Sequence, residues 1–125
     1  MSKRMLIAED EAPTRKALTT LAEIRGYDVV AVSNGFDLLT VAASERFDIV
    51  ITDLMMPDLN GASATEIMKL QGSTTPVIAL TGISHQEADF VKEKFTKIYH
   101  KPINIIELFK YVDSLLGKNE EGFVE

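Results

Sequence analysis

Along this chain, short runs of apolar and β-branched residues alternate with longer stretches whose apolar positions recur every three or four residues. The runs Met5 to Ala8, Tyr27 to Val32, Ile49 to Ile51, Pro76 to Leu80 and Phe95 to His100 are too short for helices and read as strands. Between them Ala17, Leu18, Leu21, Ala22 and Ile24 keep helical spacing, as do Phe36, Leu38, Leu39, Ala42 and Ala43, and then Ala64, Ile67, Met68 and Leu70. Ser84 is placed to cap a fourth helix running through Ala88 and Val91 to about Lys94. Asn104 and Glu107 form a capping box for a fifth, through Ile106, Phe109, Val112 and Leu116. Pro13 suits a first helical turn, Gly26 ends that helix, Ser33-Asn34-Gly35 is a turn and Pro102 closes the last strand. In the loop Pro57-Asp58-Leu59-Asn60-Gly61, Gly61 is expected to supply a positive φ.

Five strand–helix units with short connections predict a parallel sheet with helices on both faces and right-handed crossovers. The expected architecture is an α/β, flavodoxin-like doubly wound (βα)5 fold with strand order 2-1-3-4-5. Polar residues follow four of the five strands: Glu9 and Asp10 the first, Asp53 the third, Thr81 the fourth and Lys101 the fifth. The carboxyl edge of an open α/β sheet is where ligands bind, and this order puts strands one and three side by side. Asp53, after the fully apolar Ile49-Val50-Ile51, becomes the centre of the candidate site.

Three carboxylates at neighbouring strand ends repel one another, which raises a pKa or recruits a cation. Oxygen ligands without Cys or His suit a hard divalent ion, Mg²⁺ or Mn²⁺, completed by waters and a phosphate oxygen. Lys101 adds an ammonium and Thr81 a hydroxyl, both able to meet a phosphoryl group. The set suits phosphoryl transfer onto a carboxylate, with Asp53 as nucleophile.

Composition narrows the alternatives. The 125 residues accommodate one domain, 46% hydrophobic and 26% charged, as in an average globular chain. A net charge of -6 and a pI near 4.9 oppose nucleic-acid binding. The absence of cysteine, signal peptide and membrane-length apolar run leads to the expectation of a soluble, cytoplasmic protein with no membrane insertion.

Glu9-Asp10, Asp53, Pro57 with Gly61, Thr81 and Lys101-Pro102 occur in the order and spacing of a known pattern. The chain resembles receiver domains of bacterial two-component response regulators, of the chemotaxis-regulator type, over about residues 4 to 116. That family is itself a standard example of the 2-1-3-4-5 order, so the topology is not independent support. The resemblance implies a receiver domain at 1–116 followed by an acidic tail at 117–125. It implies phosphorylation of Asp53 by a histidine kinase or phosphotransfer protein. Metal would be held by Asp10, Asp53 and the backbone carbonyl of Met55, with Glu9 acting partly through water. Thr81 and Lys101 would bind the phosphoryl group, while Pro57, Gly61 and a commonly cis Pro102 shape the loops. The expected output is a changed surface on the face of helix 4, strand 5 and helix 5, read by a downstream protein, from a stand-alone receiver that is not a turnover enzyme.

Some positions depart from the family pattern. Ile98 stands where an aromatic residue is usual, three before the lysine, and Tyr99 one place later should point to the opposite face. The segment before strand five lacks the usual Gly-Ala turn. Met55 and Ile83, two residues beyond Asp53 and Thr81, are apolar and are expected to shield an acyl phosphate from water. Leu108 and Tyr111 on the outer side of the last helix would mark a partner surface or a homodimer contact. His85 and His100 receive no role. The rivals are a non-phosphorylated interaction module that retains these residues, and an aspartate-based phosphohydrolase, disfavoured because Met55 stands where such enzymes carry a second Asp. A flavodoxin-like FMN binder is weaker still, since Glu9-Asp10-Glu11 would repel its phosphate.

Overall fold

All five residues of the central strand β3 (Ile49–Asp53) are buried, because helices cover both faces of the sheet to which it belongs. A computed structural model describes residues 2–118. Around β3 the parallel strands β1 (Arg4–Ala8), β2 (Asp28–Val32), β4 (Val77–Thr81) and β5 (Lys97–His100) take the order β2-β1-β3-β4-β5. This is the flavodoxin-like topology expected from the alternation.

Period-two alternation divides the strand side chains between two cores. Met5, Ile7, Ile49, Ile51, Ile78 and Leu80 pack against α1 (Ala12–Ile24) and α5 (Ile105–Leu115). Leu6, Ala8, Val50, Val77 and Ala79 pack against α2 (Gly35–Ser44) and α3 (Gly61–Leu70). Near-continuous apolar strands are what a sheet covered on both faces requires, and each fully buried side chain contributes about 1.5–3 kcal/mol. The predicted caps Ser84 and Asn104 form, and Asn34 and Asn60 cap α2 and α3 in the same way, each accepting the amide N–H three residues on.

The structure corrects the sequence reading in three places. The fourth helix does not reach Lys94: α4 is only His85–Ala88, followed by a 3₁₀ turn at Lys92–Lys94. In this segment Ala88 is buried while Phe90 is 88% exposed, so little apolar contact supports further helix, and short helices depend on such contact. Gly61 does not adopt positive φ; Asp58 does, at 69°. A Cβ on Gly61 would lie 2.2 Å from the carbonyl oxygen of Asp53, so glycine is needed there for close approach. Leu108 is fully buried rather than outward-facing, and Tyr111 is half-buried with its ring edge against Tyr99. The outer face of α5 carries Ile106 and Leu115 instead. Of the acidic tail, Gly117 ends α5 at positive φ, and 119–125 lie outside the described residues.

Candidate functional site

Strand register alone brings the candidate residues to one edge. Ala8 pairs with Thr52, so Glu9 follows beside Asp53; Asp53 pairs with Leu80, and Thr81 pairs with His100, which precedes Lys101. Asp53 is 3% exposed, Glu9 and Thr81 are fully buried, and Asp10 is exposed at the rim.

Lys101 organises the charges. Its Nζ donates to Asp53 Oδ2 at 2.7 Å, to Glu9 Oε1 at 3.3 Å and to Glu11 Oε1 at 3.5 Å. The other Asp53 oxygen, Oδ1, accepts the Met55 N–H at 3.0 Å, and Glu9 Oε2 accepts the Glu11 N–H at 3.1 Å. Carboxylate oxygens of Glu9, Asp10 and Asp53 lie within 4.8 Å of one another.

One ammonium does not balance this much negative charge. Burial pushes the Glu9 carboxyl up to about 7, helped by the charge of Asp53 and a hydrogen bond to it, against the pull of the Glu11 N–H and Lys101. Burial by itself lowers the Lys101 ammonium, but hydrogen bonding and attraction to Asp53 and Glu9 outweigh it and hold the group above its ordinary value. A buried carboxyl that keeps its proton near neutrality, facing two more acids, is a site short of positive charge. The all-oxygen donor set fits a hard divalent cation such as Mg²⁺.

The remaining predicted residues surround this cluster at different distances from the chemistry. Thr81 Oγ1 accepts the Ile83 N–H at 3.0 Å, so its own hydroxyl proton points elsewhere. The Lys101–Pro102 bond is cis, and the Lys101 N–H donates to the Thr81 carbonyl at 2.7 Å. Pro57 accepts the Leu59 N–H in the turn after β3, and the Gly61 N–H returns to the Leu54 carbonyl. Met55 is 63% exposed, whereas Ile83 is half-buried against the α2–α3 core. Ile98 packs on that same core and Tyr99 on the opposite one, as the strand period requires.

Sequence reasoning overlooked two contributors. Arg15, one turn into α1, donates to the carbonyls of Glu9 and Asp10 at 2.8 and 3.3 Å and fixes the loop that carries the acids. His100 bonds to the Ile83 carbonyl and stacks on His85. The only signal for Arg15 was a basic residue just after an acidic trio; nothing local signalled the histidine pair. A cleft of about 480 Å³ between the ends of α2 and α3, lined by Arg46, Phe47, Met68 and Gln71 among others, opens at the opposite edge of the sheet. That cleft lies away from the acidic cluster.

A doubly wound sheet whose carboxyl edge joins clustered acids to a lysine defines an α/β protein with a cation-ready acidic cleft. The family described as response regulator receiver domain matches residues 5–113. The chain belongs to that family. It is 34% identical to Protein PilH of Pseudomonas aeruginosa, covering 91% of this chain and 98% of that protein. It is 35% identical to a probable transcriptional regulator, ycf27, of Porphyridium aerugineum, over 66% of this chain but 34% of that protein, so it spans about a third of that longer relative. Among solved structures, it is similar to the receiver domain of a sensor histidine kinase from Pseudomonas aeruginosa PAO1, which has a magnesium ion coordinated in its active-site cleft. The TM-score is 0.85 at 25% identity, covering 94% of this chain and 99% of that one.

Proposed function

We propose that Asp53 accepts a phosphoryl group from a histidine kinase or phosphotransfer protein and that the phosphorylated domain signals by altered protein binding. The observation that carries this reading is the Lys101 ammonium, 2.7 Å from Asp53 and bonded also to buried Glu9. Glu9, Asp10, Asp53 and the Met55 carbonyl would hold Mg²⁺ or Mn²⁺, which when bound neutralises charge on the phosphoryl oxygens. A carboxylate oxygen of Asp53 attacks phosphorus as the bond from phosphorus to the donor's nitrogen breaks, leaving an acyl phosphate. Lys101 then meets a phosphoryl oxygen instead of a bare carboxylate, and Thr81 turns its hydroxyl proton towards another. Movement of Thr81 draws on Ile83 and the start of α4, which converts a charge event into a changed surface on α4, β5 and α5.

The donor would dock beside Lys101. An apolar groove of about 360 Å³, bounded by Pro13, Ala17, Pro102 and Ile105, runs beside Lys101 and would receive the helix that presents a phosphohistidine. Pro57, Gly61 and Pro102 shape the loops around the acceptor. Met55, two residues beyond Asp53, and Ile83, two beyond Thr81, would lengthen the life of the acyl phosphate by limiting water. We further assign a receiver at 1–116, an acidic tail at 117–125, a cytoplasmic signalling role without catalytic turnover, and a downstream protein or second copy as partner. No helix among the described residues is long and apolar enough to cross a membrane.

Ile98 favours a second reading. With Ile98, and not Phe or Tyr, on the α4 side of β5 at that position and Tyr99 packed on the other core, the domain would act as an interaction module without phosphorylation. Incubation with acetyl phosphate and Mg²⁺ followed by intact mass measurement separates the two. A phosphate-sized gain that is lost in Asp53→Ala supports the phosphoacceptor; no gain in the unaltered protein supports the module.

A further inference from the structure

The β4–α4 turn is fastened to β5 by two imidazole rings. His85, first residue of α4, stacks on His100, last residue of β5, with ring centroids 3.6 Å apart and planes at 26°. His100 Nδ1 lies 3.1 Å from the Ile83 carbonyl oxygen. A carbonyl only accepts, so this nitrogen carries the hydrogen and donates it. The N–H of the same Ile83 donates to Thr81 Oγ1. One residue thus joins the histidine pair to the hydroxyl at the acidic cleft.

We propose that the His85–His100 stack is a proton-sensitive latch that positions the β4–α4 turn and so sets how freely Thr81 can leave its contact with Ile83. This rests, for its effect on signalling, on Thr81 engaging a phosphoryl group as described above. With at most one ring charged, face-to-face contact persists and Ile83 stays pinned. Two imidazolium rings at this separation repel, and the weaker anchor yields first. That anchor is His85, because α4 is only four residues long and buries only Ala88.

The surrounding charges do little to oppose this. Asp89, the residue that ends α4, and Lys92 of the 3₁₀ turn face the same cleft but pair with each other at 3.5 Å. Lys97 of β5 directs its ammonium over the Tyr111 ring at 4.7 Å, and Lys101, next to His100, is committed to the carboxylates. Glu87 lies in the first turn of α4 and is exposed. Among the described residues no carboxylate bonds either ring to compensate a second charge. His85 and His100 are therefore positioning residues acting through Ile83, with no contact of their own to the reacting atoms.

The test follows backbone amides and histidine rings by NMR in the unphosphorylated protein as pH falls from about 8 to about 5.5, the range in which imidazoles charge. The Ile83 amide should move together with both rings, and His85→Gln, which keeps a polar side chain that never charges, should abolish at least about half of that movement. His100→Gln, made in parallel, should remove it whether or not His85 is present. With acetyl phosphate and Mg²⁺, the ratio of wild-type to His85→Gln phosphorylation rates should rise about threefold on acidification, as the wild-type turn alone is released. An Ile83 amide indifferent to the rings, or an unchanged Ile83 response in His85→Gln, overturns the latch. A rate ratio flat with pH while Asp53 is phosphorylated also overturns it. Ile83 following the rings in a protein never phosphorylated at any pH would support the latch and overturn the phosphoacceptor reading instead.

Discussion

Lys101 Nζ stands 2.7 Å from Asp53 Oδ2 although 48 residues separate them, because β5 and β3 both end at the carboxyl edge with only β4 between. The same ammonium neutralises part of the charge that a divalent cation would have to bind. A cation held there would therefore compete with the lysine for Asp53 and Glu9. Replacing Lys101 by Met should tighten Mg²⁺ binding by about three- to tenfold, read by calorimetric titration. Phosphorylation by acetyl phosphate should slow by about a hundredfold in the same variant. Weaker Mg²⁺ binding would show that Lys101 supports the acidic cluster and does not compete for it.

Glu9 makes the metal-free protein pH-dependent. Its carboxyl is held up to about 7 in the fold, against 4.5 for the ordinary group, so between those values the folded chain binds more protons than the unfolded one. Stability from this group is therefore full below about pH 4.5 and falls as pH rises towards 7. In chelator, urea unfolding at about pH 5.5 and 7.5 should show the wild type losing about 1–3 kcal/mol relative to Glu9→Gln over that interval. Added Mg²⁺ should remove most of the difference at the higher pH, since it binds the ionised form.

If Asp53 carries a phosphoryl group as proposed, Met55 and Ile83 would act on water access and not on binding. Substituting Met55→Asn with Ile83→Glu should speed loss of phosphate from Asp53 by about tenfold, followed by the decay of the phosphorylated mass. An unchanged decay would remove the shielding role. Mg²⁺ affinity of the unphosphorylated double variant reports whether the cluster itself survived the changes.

Gly61 is a steric test of the loop that carries the acceptor. A Cβ there meets the Asp53 carbonyl and Thr52 Oγ1, which itself bonds that carbonyl at 2.9 Å. Gly61→Ala should cost about 1–3 kcal/mol in chemical unfolding, by pushing α3 from β3. Gly82→Ala, at a site with open space, should cost less.

A last prediction concerns the far end of the sheet. Buried Asp113 of α5 accepts from Tyr27 Oη and pairs with Arg25, tying α5 to the end of α1. Asp113→Ala should destabilise by about 1–3 kcal/mol, because it takes the acceptor away from the buried Tyr27 phenol. Tyr27→Phe should cost about 1 kcal/mol. Equal losses in thermal or urea unfolding would mean that the phenol carries the tie.

Alternation of strand and helix, both cores and the residues at the strand tips were legible in the chain, since each rests on local periodicity and on where apolar runs stop. Glu9, Asp53, Thr81 and Lys101 could be named in advance because parallel strands all deliver their ends to one edge. What sequence left undecided was set by contacts between distant segments. Along α5 and its C-cap, Ile105, Ile106, Leu108, Phe109, Val112, Leu115 and Leu116 form two overlapping apolar stripes, and only packing against β1, β3 and β4 turned Leu108 inward. Helical spacing through Val91 predicted a full fourth helix, yet too little apolar surface met the core to hold it. Gly61 looked like a turn residue until the Asp53 carbonyl arrived beside it, and the two histidines, fifteen residues apart, met only when β5 joined the sheet.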